Sequence, residues 1–268
     1  NANQASSTNY AAATQAQQSF TVAKASQATT FTASLTTFNL GQSDTLTVTV
    51  TLGATGTVTF KDASNNSLCT TDALNSSGVA SCSWTPTLAG IYEVTAHYSG
   101  DDLYSTTSSS STSIQVRSVI SFDTNSGVGT TPNQLTYLNS GINLPAGTGL
   151  SKSGYSFGGW STTNNGVAVS TPYSSDISRT LYAVWNANTY TITYKSSPSG
   201  TGADITQSFT YPGSVTIKTR AEVSSLITRS GYYITGWTTT STAGGSRTDI
   251  LGSTYSSANN RTLYPVWT

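Results

Sequence analysis

Polar and apolar residues alternate with a period of two along much of the chain. Leu46, Val48 and Val50 are interleaved with Thr45, Thr47 and Thr49, Val58 and Phe60 with Thr57 and Thr59, and Tyr92, Val94, Ala96 and Tyr98 with Glu93, Thr95 and His97. Successive side chains of a strand point to opposite faces, so each run predicts a strand with one apolar and one polar side. Turn-forming stretches at Asp62–Ser67, Asn75–Gly78 and Leu88–Gly90 separate them. Short strands so spaced predict a sandwich of two antiparallel sheets. The alternation returns at Ile120 and Phe122, and again at Tyr190, Ile192 and Tyr194, as opening strands of further units. Residues 221–227 (AEVSSLI) read instead as a short helix, and the first copy has Gly-rich Pro145–Gly149 in its place.

One motif set occurs twice. Gly154-Tyr155, Gly159-Trp160 and Arg179-Thr180-Leu181-Tyr182-Ala183-Val184-Trp185 return as Gly231-Tyr232, Gly236-Trp237 and Arg261-Thr262-Leu263-Tyr264-Pro265-Val266-Trp267. In both copies the Gly of Gly-Tyr lies six residues before its Trp, and the Arg six before the closing Trp. A constant aromatic skeleton with exchanged polar residues marks a repeated module. Small modules need large side chains to fill a core, so Tyr155, Trp160, Trp185, Tyr232, Trp237 and Trp267 are expected inside rather than as sugar-stacking platforms. Only Asn186–Thr189 separate the closing strand of the first copy from the opening strand of the second, a linker short enough to predict a stiff pair. Pro265 has no N–H to donate and belongs at an edge or a non-bonded position.

A fainter repeat lies upstream. Tyr104–Val116 matches Tyr10–Val22 in length and in its ends, with Ile114 and Val116 answering Phe20 and Val22 at a period of 94 residues. That is about one immunoglobulin-like domain, so residues 1–27 read as the terminal strand of a preceding domain or as a linking strand. An unpaired strand of this kind pairs with open edges. Phe20 and Val22 are therefore candidate strand-exchange residues, through which copies of the chain would join head to tail. The bland alternative is a piece cut from a longer multidomain protein.

Cys69 and Cys82 are equidistant from Asn75-Ser76. A hairpin turning there places them opposite each other, with Cα atoms about 4.5 Å apart at a non-hydrogen-bonded pair. A disulfide is expected, two free thiols being the alternative, and it would lie within one hairpin rather than between sheets.

Composition narrows the chemistry. Charged residues are 8% of the 268, the formal net charge is zero, there is one His and no Met, and Ser plus Thr make up roughly a third. No basic patch is available for a phosphate backbone, which argues against nucleic acid. No apolar run reaches the roughly 18 residues of a membrane span, and no signal peptide heads the chain. His97 sits on the polar side of its strand and reads as a solvated side chain rather than a catalytic base. A lone imidazole without clustered Cys or His assembles neither a nucleophilic triad nor a zinc site. Asp101-Asp102 with Asp44 would offer calcium a few oxygens, but the ion takes six to eight and an Asp-built turn needs none. No carboxylate pair stands in a glycosidase-like setting. No cofactor or metal is expected.

Residues 28–117, with the Cys-x12-Cys spacing, Ala89-Gly90-Ile91-Tyr92 and the turn Tyr98-Ser99-Gly100-Asp101-Asp102-Leu103-Tyr104, resemble a bacterial Ig-like domain. Residues 118–268 resemble two Listeria/Bacteroides repeats, the internalin-type B-repeat. The first matches through Gly154-Tyr155-Ser156-Phe157-Gly158-Gly159-Trp160 and Leu181-Tyr182-Ala183-Val184-Trp185; the second departs at Ile234 and Pro265. The resemblance implies a mainly β chain: an Ig-like β-sandwich at 28–117, then β-grasp-like repeats at 118–187 and 188–268 in a linear array. It implies no catalytic residue.

These readings converge on a non-enzymatic extracellular protein, displayed on a bacterial surface or secreted, serving as a modular stalk segment or as a filament subunit linked through its N-terminal strand. The alternative is a carbohydrate-binding adhesin module with exposed aromatics. Expected partners are other copies of the chain or host and cell-surface glycans.

Overall fold

A computed structural model describes residues 8, 11–12, 17–131, 133–136, 141–242 and 246–268. The chain divides into two compact units, Asn1–Arg117 and Ser118–Thr268.

The first unit is a sandwich built from β1 (Thr30–Ala33), β2 (Thr37–Asn39), β3 (Asp44–Thr49), β4 (Val58–Lys61), β5 (Ser67–Thr70), β6 (Val79–Trp84), β7 (Gly90–Tyr98), β8 (Thr107–Ser108) and β9 (Thr112–Asp123), the last of which serves this unit with residues 112–117. One sheet has the order β1-β3-β6; the other runs β5-β4-β7-β9 with β2 parallel to β9 and β8 against β7. The period of two becomes burial directly: Leu46, Val48, Val58, Phe60, Val94, Ala96, Ile114 and Val116 are fully buried. Each fully buried aliphatic side chain contributes about 1.5–3 kcal/mol. Trp84 fills one end, edge-on to Phe38 at 6.0 Å and to Tyr92 at 4.9 Å.

The two cysteines are bonded, but not across a hairpin. Cys69 of β5 pairs with Phe60 of β4, whereas Cys82 of β6 pairs with Leu46 of β3. The bond thus joins edge strands of opposite sheets, with Cα atoms 6.2 Å apart, which corrects the expected face-to-face pair within one hairpin. The reason is what happens between the strands. Thr71 and Leu74 donate to the Val58 and Gly56 carbonyls, and the turn at Asn75–Gly78 then hands the chain over to Val50.

The second unit contains both repeats. In the first, residues 118–123 of β9, β10 (Gln134–Thr136), β11 (Tyr155–Ser161) and β12 (Arg179–Ala187) form a sheet of order β10-β9-β12-β11. The second is built from β13 (Thr189–Tyr194), β14 (Ile205–Thr210), β15 (Val215–Thr216), α1 (Arg220–Val223), β16 (Ile234–Thr238), β17 (Thr254–Tyr255) and β18 (Arg261–Trp267). Its sheet, β14-β13-β18-β16, has the same topology. The central pair is parallel in both copies, in the same register: Ile120 faces Arg179, and Ile192 faces Arg261. A bulge recurs at Phe157/Gly159 and Ile234/Gly236, just ahead of the inner Trp.

Local sequence accounts for the differences. The β15–β17 pair has a single bridge, Ile142–Tyr173, as its counterpart. Thr219 and Glu222 start α1 with a capping box, the Thr219 N–H donating to Glu222 Oε2 at 2.7 Å. The helix ends at Val223, short of the expected Ile227, where the weak helix formers Ser224 and Ser225 turn it into successive turns. Pro265 is tolerated because it lies beyond the last residue paired with β13 and faces Trp237, whose own N–H donates to the Asp249 carbonyl.

Candidate functional site

The joint between repeats is bonded on both sides. β12 ends at Ala187 and β13 begins at Thr189, leaving Asn188 alone outside the strands. Its N–H donates to the Gly154 carbonyl at 2.9 Å, and its own carbonyl accepts from Tyr211 N–H at 3.0 Å. One residue is thereby bonded to both repeats. Above it Tyr155 of the first repeat meets Tyr211 of the second edge-to-face, centroids 5.4 Å apart. Such pairs contribute about 0.5–1.5 kcal/mol beyond the area they bury. Gly154, at φ +82°, is a close-approach glycine, since a Cβ there would fall 2.2 Å from the Tyr211 ring. Lys152 lies over the Tyr155 ring, its ammonium 5.1 Å from the centroid.

The equivalent place in the second repeat is open. Tyr232 and Tyr233 are 50% and 51% exposed, with Arg229 over Tyr232 at 3.9 Å and Arg220 over Tyr233 at 5.0 Å. These four residues, Ile234 and Trp267 line a surface pocket of about 190 Å³.

Of the six expected core residues, Trp160 and Trp237 are buried, each donating its indole N–H to a preceding loop, at Pro145 and Lys218. Trp185 and Trp267 are half-buried and pack against the cores. The two tyrosines do not belong there. Tyr155 pairs with Ala187 at the very end of the sheet, and Tyr232 precedes β16 altogether, so neither lies over the sheet's middle. Sequence reasoning missed Tyr211 and Asn188; the shortness of the linker was the one signal that pointed near them.

Phe20 and Val22 are 85% and 79% exposed and lie outside any strand; Tyr10 falls outside the described residues. The sandwich positions they match are filled by Ile114 and Val116. Among the described residues the segment meets the fold at Ala25, bridged to Tyr104, at Lys24, whose ammonium donates to the Asp101 carbonyl, and at Gln27, whose side-chain amide donates to the Ser105 carbonyl.

The remaining polar candidates are engaged internally. Asp101 accepts from the backbone N–H groups of Thr55, Leu103 and Tyr104 and from the Tyr98 hydroxyl. Those backbone donors, Thr55 foremost, hold its carboxyl well below the ordinary range, while burial first and Asp101 second push Tyr98 up to about 12. Asp44 accepts from the Ser34 hydroxyl and the Leu35 N–H. His97 lies between Thr95 and Ser108, its pKa lowered by burial and by Lys61. Among the described residues no group of three or more His, Cys, Asp or Glu is placed to hold a metal, and no helix is long and apolar enough to cross a membrane.

Comparison with known families agrees with this architecture. The bacterial Ig-like domain (group 3) matches residues 27–117, and the Listeria-Bacteroides repeat domain matches twice, at 119–184 and 190–266. A search of curated proteins finds no match. Both domain types are typical of cell-surface proteins. The repeat matches cover more than half of the 268 residues, and the chain therefore belongs to the Listeria-Bacteroides repeat domain family, with a bacterial Ig-like domain ahead of its two repeats.

Proposed function

We propose that this chain is a non-enzymatic extracellular surface protein whose repeats act as a stalk segment. The observation that carries the reading is the one-residue joint, in which Asn188 is hydrogen-bonded to Gly154 and Tyr211 and the Tyr155–Tyr211 contact closes over it. A free linker would let successive repeats reorient; this one has no unbonded residue in which rotation is absorbed. The test is the distance distribution between spin labels at Thr163→Cys and Ser225→Cys, both exposed positions. A single narrow distribution is expected, broadening when a Gly-Ser segment is inserted at Asn188. A broad distribution in the unaltered joint overturns the stalk reading.

A filament reading is favoured by a separate observation, the exposure of Phe20 and Val22 in a segment with no strand partner over residues 17–24. Exposed apolar segments of extended chain pair with open edges of another molecule. Electron microscopy should then show ordered fibres that vanish when residues 1–25 are deleted; discrete particles in both samples would sink this reading.

A further inference from the structure

The sheets of the two repeats correspond in order and register, yet the Gly-Tyr element is covered in one and bare in the other. Gly154 is buried beneath the Tyr211 ring, which a Cβ would meet at 2.2 Å; at Gly231, with nearly the same φ of +78°, a Cβ would have nothing within 4 Å. Tyr155 is half-buried against Tyr211, whereas Tyr232 is 50% exposed. Each ring carries a cation on one side, Lys152 at 5.1 Å and Arg229 at 3.9 Å. Pairing at the sheet's end is also shared: Ser156 faces Asn186, and Tyr233 exchanges two backbone hydrogen bonds with Thr268.

From this equivalence we infer that the Gly231–Tyr232 face of the second repeat is a docking site for the opening hairpin of another repeat of the same family, attached directly behind it and presenting an aromatic turn like Tyr211-Pro212-Gly213. The occupant follows from the joint already present, because the ring that fits over Gly-Tyr there belongs to the second strand's turn of the following repeat. Gly231 keeps the left-handed backbone and the missing Cβ that let a ring lie over the main chain, and a Cβ built there would meet nothing within 4 Å. Tyr232, Tyr233 and their two arginines give the apolar, cation-backed platform on which such a ring sits. This inference rests on the stalk reading and extends it.

The test appends a second copy of residues 189–268 behind Thr268 through Ala-Asn, reproducing Asn186–Asn188, and follows amide hydrogen exchange in the full chain. Peptides covering 229–233 are expected to exchange about tenfold or more slowly once the copy is attached, and to return to the original rate when Tyr211→Ser is made in the appended copy alone. Unchanged exchange at 229–233 beside a folded appended repeat overturns the docking site but leaves the stalk reading intact. The existing joint provides the separate control, since Tyr211→Ser in the native position must speed exchange at 152–156. If it does not, the stalk reading itself fails. Saturable binding of a polyanion such as heparin to the unextended chain, abolished by Arg220→Gln and Arg229→Gln, would make the face a ligand site and also overturn the proposal.

Discussion

In the first repeat the buried core residues among those described are Ile120, Trp160, Leu181 and Ala183; in the second they are Ile192, Tyr194, Phe209, Ile217, Val223, Ile227, Ile234, Trp237, Tyr255 and Leu263. The sheets have the same order and register; part of the difference lies on the strands, in Tyr194, Phe209 and Ile234, and part in what the segments between strands contribute. The second repeat adds α1, with Val223 and the following Ile227, and the β15–β17 pair, with Ile217 and Tyr255 packing near it. The first has Pro145–Gly149 and a single bridge in those places. The aromatic skeleton is thus common to both sheets, while the segments between strands add to the apolar surface that the second encloses.

Removing the inner Trp breaks the comparison most severely. Trp160→Ala and Trp237→Ala should each cost about 3–5 kcal/mol. Circular dichroism melts should show the first repeat unfolding outright, because Trp160 is one of few enclosed groups there, while the second remains folded at a lower melting temperature. Next comes the ion pair in which Asp249 Oδ2 accepts from Arg261 Nη2 at 2.8 Å, the Asp side chain being 10% exposed. Its counterpart Arg179 donates to the Ser175 hydroxyl, at 3.1 Å. Asp249→Asn should destabilise the second repeat by about 1–2 kcal/mol in chemical denaturation.

The joint gives a smaller contrast. Tyr211→Ser should lose about 1 kcal/mol of coupling between the repeats, seen as two separated unfolding transitions, and Tyr232→Ser should lose almost none. Smallest is an acid effect that, of the two repeats, falls on the second. The Thr219 N–H foremost holds Glu222 below its ordinary 4.5, and Lys195 holds Asp204 below 3.8. Carboxyls depressed in the folded state stabilise it above their ordinary values, and that contribution is lost as pH falls below about 4. Melting temperatures followed from pH 6 to 3 should decline more steeply for the second repeat, and Glu222→Gln should flatten the difference.

Much of the fold is readable in the alternation. Leu46, Val48, Val94 and Ile192 are buried where a period of two puts them, and Trp160 and Trp237 are buried where the repeated spacing puts them. What is not readable depends on partners far away in the chain. Whether Cys69 and Cys82 share a sheet is decided by Gly56, Val58 and Val50, not by the symmetry of the intervening sequence. Tyr155 and Tyr232 look alike in sequence, yet only the first has a ring to lean on, because Tyr211 belongs to the neighbouring module. Phe20 and Val22 have the pattern of a strand without an edge to join.

The parallel pair at the centre of each repeat has a mechanical consequence. Because β13 and β18 point the same way, the chain comes into the second repeat at one end of the sheet and leaves at the other. A pull on both ends slides the two strands past each other, loading Ile192–Arg261, Thr193–Thr262 and Tyr194–Leu263 together; antiparallel neighbours would unzip one pair at a time. Rupture under tension is governed by the unfolding rate rather than by equilibrium stability. Even the sparsely filled first repeat, with the same arrangement of β9 and β12, is therefore built to withstand shear.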